Sequence, residues 1–102
     1  MIKIGIIGLG YWGPNYLRVF SQLEHSKVSA CADPDTARLD AFAKNHPGVH
    51  FYSDAGKMMR KESLDAVVIA TPTTTHFPVA RGILKTGCHV LVEKPLAMTV
   101  KE

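Results

Sequence analysis

Residues 2–13 read IKIGIIGLGYWG, and the change of apolar period across them identifies the architecture. Ile2 to Ile7 are rich in isoleucine and run into Gly8, the pattern of a short buried strand. Gly8, Gly10 and Gly13 then fall at G-x-G-x-x-G spacing, and beyond Pro14 the apolar period lengthens. Tyr16, Val19, Phe20 and Leu23 recur at i, i+3, i+4 and i+7, the stripe of an amphipathic helix. Pro14 suits its first turn, where a missing N–H costs no intrahelical bond. In this context Gly8 permits a tight turn, Gly10 lets the backbone approach a diphosphate, and Gly13 lets helix and strand pack closely. Free N–H groups at the positive end of the helix would face the anion. The plain alternative is a glycine-rich turn with no ligand.

The alternation continues outward from this stretch. KVSACAD (27–33) reads as a second strand closed by Asp33-Pro34, followed by a helix from Thr36 to Asn45 with Leu39, Phe42 and Ala43 inward. VHFY (49–52) is a short third strand, and Ser53 or Asp54 caps a brief basic helix through Lys61. DAVVIA (65–70) is continuously apolar, as a strand covered on both faces requires. After TPTTTH (71–76) comes a helix with Ala80, Ile83 and Leu84 inward, ending at Gly87, and HVLV (89–92) is a fifth strand. Strand and helix in strict alternation predict an α/β fold: one domain over residues 1–102, a doubly wound parallel sheet with helices on both faces.

Composition narrows the function classes. The 102 residues are 46% hydrophobic and 21% charged, with a net charge of +3. Lys57, Arg60 and Lys61 are the nearest approach to a basic cluster, too little for a nucleic-acid face with aromatic partners. Cys31 and Cys88 lie far apart, and His46 and His50, the histidines spaced i, i+4, span the helix-stopping NHPG, so neither a disulfide scaffold nor a metal site is expected. No stretch has the length of a membrane span, and the glycine-broken N-terminus lacks a signal-peptide pattern. A reducing, cytoplasmic setting follows as the expectation.

Chemistry-bearing residues collect where the predicted strands end. Asp33 lies twenty residues past Gly13 at the end of the second strand. A carboxylate there accepts both hydroxyls of an adenosine ribose and repels a 2′-phosphate, favouring NAD over NADP. Arg38 comes a helical turn later, and Arg38 or Lys57 could still meet a phosphate. The simpler reading of Asp33 is a helix cap or turn opener. Thr71, Pro72, Thr73 and His76 follow the fourth strand; capping by Thr74 or Thr75 is the competing role. Glu93, Lys94 and Pro95 leave the fifth strand. A lysine there can take a hydroxyl proton or stabilise an oxyanion, although an exposed Glu–Lys pair would contribute only about 0–1 kcal/mol.

Four segments in order, GLGYWG (8–13), CADPD (31–35), VVIATPTTTH (67–76) and VLVEKPLA (90–97), resemble the nucleotide-binding part of the glucose–fructose oxidoreductase, inositol dehydrogenase and rhizopine catabolism protein family. The resemblance implies a Rossmann dinucleotide-binding fold forming the N-terminal half of a two-domain oxidoreductase. Its substrate-binding C-terminal domain would be absent from this chain. Residue by residue it implies that Gly8, Gly10, Gly13 and Asp33 bind NAD and that Thr71, Pro72, Thr73 and His76 line the cofactor. Glu93 would stand near the nicotinamide-side ribose. Lys94 would touch both cofactor and substrate hydroxyl and act as the catalytic residue, its bond to Pro95 resembling one often found cis. It further implies hydride transfer at a hydroxyl-bearing carbon of a sugar, nucleotide sugar or polyol, and a homo-oligomer at full length. GYWGPNYLR (10–18) resembles members acting on nucleotide-linked amino sugars. The opposing reading is a free-standing, non-catalytic dinucleotide sensor.

Two features stay open in the sequence. Tyr11 and Trp12 fill the unconstrained positions between the second and third glycines. They would shield the cofactor or pack on the absent domain, unless the indole joins this domain's own core. Thr99-Val-Lys-Glu102 has the form of a capping box with no helix behind it, the mark of a chain that continues, or a polar tail.

Overall fold

The computed structural model describes residues 2–10, 13–71, 79, 81–83 and 85–92. Along these the order is β1 (Ile2–Ile7), α1 (Gly13–Ser21), β2 (Ser26–Ala32), α2 (Thr36–Ala43), β3 (His50–Tyr52), α3 (Ala55–Lys61), β4 (Ala66–Ile69) and β5 (His89–Val92). Residues 79 and 81–83 are also helical. The strands form one sheet in the order β3-β2-β1-β4-β5, every neighbouring pair parallel. The predicted doubly wound α/β architecture is therefore present, with boundaries shifted by one or two residues.

Alternating strand residues face opposite ways, and each face has its own apolar layer. Ile4, Ile6, Val28, Cys31 and Val68 pack with Leu17 of α1 and Leu39 of α2. Ile7, Ala30, Ala32, Val67 and Ile69 pack with Met58 of α3 and with Ile83. Helices α1 and α2 on one face, and α3 with the helical residues 79 and 81–83 on the other, thus cover the sheet from both sides, as its parallel pairing requires. A bulge between Ile4 and Gly5 lets Ser29 drop out of register with β1, and Ser29 Oγ is buried without a hydrogen-bond partner.

The expected stripe of α1 is rotated. Leu17 is the side chain driven into the core, while Val19 is 43% exposed and Leu23, past the helix end, 49% exposed. Tyr16 and Phe20 flank the core half-buried, their rings stacked 6.3 Å apart. Full burial of Leu17 contributes about 1.5–3 kcal/mol, and α1 crosses close to β1 and β2, so the side facing the sheet prevails over the longer stripe. Of the helix expected after TPTTTH, Ile83 is buried as predicted; Ala80 and Leu84 lie outside the described residues. No helix of the described residues is long and apolar enough to cross a membrane.

Candidate functional site

The carboxyl ends of the strands are flush. Ile7 pairs with both Ala32 and Ile69, Ala32 pairs with Tyr52, and Ile69 pairs with Val92. Three backbone bonds carry the ladder one residue further: Gly8 N–H to Ala32 O (2.8 Å), Asp33 N–H to Tyr52 O (3.0 Å) and Ala70 N–H to Ile7 O (2.8 Å). Gly8, Asp33 and Ala70 are consequently held side by side on one rim, at the β1–β4 boundary where strand order reverses. In open parallel sheets this crevice is where ligands bind.

Gly8 is glycine for reasons internal to the fold. Its φ is +96°, and a Cβ there would lie 2.8 Å from the carbonyl of Ala70 and 2.9 Å from Thr71 N. Gly10 is different. Its φ is outside the left-handed region, and among the described residues an added Cβ would meet only Arg38 Nη1, at 3.6 Å. Among the described residues, neither backbone conformation nor neighbouring atoms demand glycine at position 10.

Asp33 is only 4% exposed. Its Oδ2 accepts the N–H of Leu9 at 2.7 Å, and its Oδ1 accepts the N–H of Asp35 at 2.8 Å. The carboxylate thus ties the glycine turn after β1 to the turn after β2. The second bond is an Asx-type turn, so the turn-opening reading of Asp33 holds. The helix-cap reading does not: the N-cap of α2 is Asp35, whose Oδ1 accepts from Ala37 and Arg38. Pro34 separates the two aspartates and directs Asp33 back to the turn. Likewise Asp54, rather than Ser53, caps α3.

Arg38 completes the described site. Its Nη1 is 3.6 Å from Asp33 Oδ2 and its Nε 3.6 Å from Asp35 Oδ2, with half of the side chain exposed. Leu9, between two glycines, is buried at 1% exposure and anchors the turn from inside. The sequence reading placed Arg38 only within possible reach of a phosphate, and gave Leu9 no role. An apolar residue between the glycines was the one available signal for it. Lys57 is exposed on α3, which covers the opposite face of the sheet from α2.

Gly8, Gly10, Asp33 and Thr71 are therefore gathered on the rim, and Gly13 opens α1. Tyr11, Trp12, Pro72, Thr73, Thr74, Thr75, His76, Glu93, Lys94, Pro95 and the segment 99–102 lie outside the described residues. Away from the rim, the Tyr52 hydroxyl donates to Glu62 Oε2 at 2.5 Å, and His50 Nδ1 is 2.9 Å from the same oxygen. Burial pushes the Cys31 thiol up to about 12, so it stays protonated. Among the described residues no group of three or more His, Cys, Asp or Glu side chains could hold a metal ion.

Residues 2–102 match the family model Gfo/Idh/MocA, described as an oxidoreductase family with an NAD-binding Rossmann fold. The chain is 32% identical to glycosyl hydrolase family 109 protein 2 of Shewanella sp. (strain ANA-3), over 99% of this chain and 24% of that protein. It is 33% identical to the scyllo-inositol 2-dehydrogenase (NADP(+)) IolU of Bacillus subtilis, over 100% of this chain and 31% of that protein. The scyllo-inositol dehydrogenase of Lactobacillus casei, solved with bound NAD(H) and scyllo-inositol, superposes with a TM-score of 0.90 at 33% identity, covering 99% of this chain and 30% of that one. The chain spans 24% to 31% of the length of these relatives. A glycine turn, a buried acid at the next strand end and a family model matched over residues 2–102 converge: the chain belongs to the Gfo/Idh/MocA oxidoreductase family and is its NAD-binding Rossmann fold.

Proposed function

We propose that this chain is the dinucleotide-binding part of an NAD(P)-dependent oxidoreductase acting on the hydroxyl carbon of a polyol, sugar or nucleotide sugar. The observation that carries the reading is Gly10, where no described residue demands a glycine, next to a buried carboxylate at the switch point of the sheet. Gly8, Gly10 and Gly13 hold the diphosphate against the start of α1, and Asp33 takes the adenosine ribose hydroxyls. Both Asp33 oxygens keep acceptor capacity beyond their one backbone bond each. NAD is preferred to NADP because a second anion would crowd this carboxylate. Tyr11, Trp12, Thr71, Pro72, Thr73, His76, Glu93 and Pro95 line the remainder of the cofactor site in this reading.

Bound dinucleotide supplies the two-electron acceptor. Lys94 either takes the substrate hydroxyl proton as the neutral amine and returns it in the reverse direction, or as the ammonium steadies the oxygen while charge develops. The substrate pocket and the remaining catalytic groups belong to a second domain beyond this chain, which also builds a homo-oligomer. A reducing, cytoplasmic compartment suits the free thiols of Cys31 and Cys88.

The similarity to a protein named as a family 109 glycosyl hydrolase supports a second reading, in which the complete polypeptide has net glycosidase activity. One pair of assays on the polypeptide carrying this sequence separates them. Formation of NADH from NAD with polyols or sugars supports the dehydrogenase, and Lys94→Ala should cut its turnover far more than its cofactor affinity. Aryl-glycoside cleavage without net NADH supports the second reading. Failure of the chain to bind NADH in a fluorescence titration rejects both.

A further inference from the structure

We infer that the outer surface of α3 and of the helical residues 81–83 is a docking face for a carboxylate-rich segment of a partner protein. Lys57, Arg60 and Lys61 recur at i, i+3 and i+4 along α3, and all three are exposed. The same helix turns Met58 fully into the core, so the three cations form one exposed stripe. Arg81 in the next helical stretch and Lys85 in the turn after it are exposed as well. That stretch packs through Ile83 into the same apolar layer as Met58, on the sheet face opposite α1 and α2. Five cations therefore share one side of the molecule, away from the glycine turn.

Local effects within α3 oppose this arrangement. Lys57 stands in the first turn, at the positive end of the helix dipole, where a cation is unfavourable. It also repels Lys61, four residues on and on the same side of the helix. Arg60 and Lys61, in the last turn, do suit the dipole. The two carboxylates at the ends of α3 are engaged elsewhere: Asp54 accepts the N–H of Gly56 as the cap, and Glu62, largely buried, accepts from Tyr52 and His50. Among the described residues no ion pair involves any of the five cations. The remaining charged side chains of the described residues, five cations and five carboxylates, cancel, so an excess of three positive charges sits on this face. Carboxylates spaced along a partner segment relieve the repulsion within the stripe and are steered to it. A nucleic acid is the poorer match, because neither α3 nor residues 79 and 81–83 carry an aromatic side chain on which a base could stack.

The test is fluorescence anisotropy of a short labelled polyglutamate peptide titrated with the chain. Binding should weaken as salt rises. The double variant Lys57→Gln, Lys61→Gln should bind about threefold or more weakly, the scale of two exposed ion pairs. The double variant Lys27→Gln, Lys44→Gln removes two exposed cations from other surfaces and should bind like the wild type. Equal losses in the two variants overturn the proposal, because net charge alone would then govern binding. Absence of peptide binding at low salt overturns it, and so does tighter binding of an oligodeoxynucleotide of equal charge. Self-association of the wild type in sedimentation that disappears in the first variant makes a second copy the occupant and overturns it too. Lys57→Gln alone should raise the thermal midpoint by relieving repulsion within α3. A lowered midpoint would assign the stripe to the stability of the fold itself and overturn the proposal.

Discussion

The carboxylate of Asp33 accepts the N–H of Leu9 at 2.7 Å, across twenty-four residues of sequence. One side chain thereby ties the glycine turn after β1 to the end of β2 before any ligand arrives. The acid expected to read the ribose is also the one that shapes the turn for the diphosphate. On the proposed reading, binding and folding are coupled through this residue.

That coupling makes Asp33→Ala a stability variant as well as a binding variant. It leaves the buried Leu9 N–H without an acceptor, which costs about 1–3 kcal/mol. Urea unfolding should show this loss, and titration should show NAD affinity falling more than NADP affinity, because the repulsion of a 2′-phosphate disappears with the carboxylate. Asp33→Asn keeps one acceptor oxygen and should cost less stability. A wild-type urea midpoint for Asp33→Ala would mean that the Leu9 bond contributes nothing.

The two neighbouring glycines should respond in opposite ways. Gly8→Ala forces an L residue to φ +96° and a Cβ to 2.8 Å from the Ala70 carbonyl, costing about 2–5 kcal/mol. Gly10→Ala meets neither obstacle, and loss of unfolded-state freedom should leave it stabilised by up to ~1 kcal/mol. Its NADH affinity should nevertheless fall by about tenfold, ~1.4 kcal/mol. Thermal melts and NADH titrations on the pair decide this. Undiminished affinity in Gly10→Ala would remove the diphosphate from the glycine turn.

Particular residues show what the sequence could and could not reveal. The alternation of IKIGII, DAVVIA and HVLV with helical stretches specified the parallel sheet, because strands covered on both faces carry mostly apolar residues. The G-x-G-x-x-G turn and Asp33 were legible because each needs a fixed place at a strand end. The facing of α1 was not. Four apolar residues, Tyr16, Leu17, Val19 and Phe20, span too wide an arc for a nine-residue helix to betray which side meets the sheet. The Leu9–Asp33 bond and the position of Arg38 depend on how the 33–35 turn aims its side chains, which no periodicity records. The bulge at Ser29 has no signature in a run of small and β-branched residues.

The two cysteines should differ sharply in reactivity. Cys31 is fully buried and burial holds its thiol at about 12, whereas Cys88 is half-buried and donates to Leu64 O at 3.1 Å. Reaction requires the thiolate and access to it. A thiol reagent at neutral pH should modify Cys88 in the native protein and reach Cys31 only on unfolding, as peptide mapping would show. Equal labelling rates would mean that β2 opens at the centre of the sheet.

The cluster joining β3 to the end of α3 should give stability an acid and an alkaline limit. Burial pushes the Glu62 carboxyl up, but hydrogen bonds from Tyr52 and His50, with the charges of His50 and Lys3, outweigh it and hold the group below its ordinary 4.5. A carboxyl depressed by folding binds more protons when unfolded, so its stabilisation is present above pH 4.5 and is lost as pH falls through the folded value. Tyr52 has the opposite sign. Its hydrogen bond to Glu62, then burial, then the charge of Glu62 raise it above 10.0, so its contribution is present below pH 10.0 and disappears as pH rises through the folded value. Urea midpoints measured against pH should fall at both ends. Glu62→Gln should flatten the acid limb by removing the titrating group, and should weaken the alkaline limb because a neutral amide no longer opposes ionisation of Tyr52. An acid limb unchanged in Glu62→Gln would assign acid unfolding to other carboxylates.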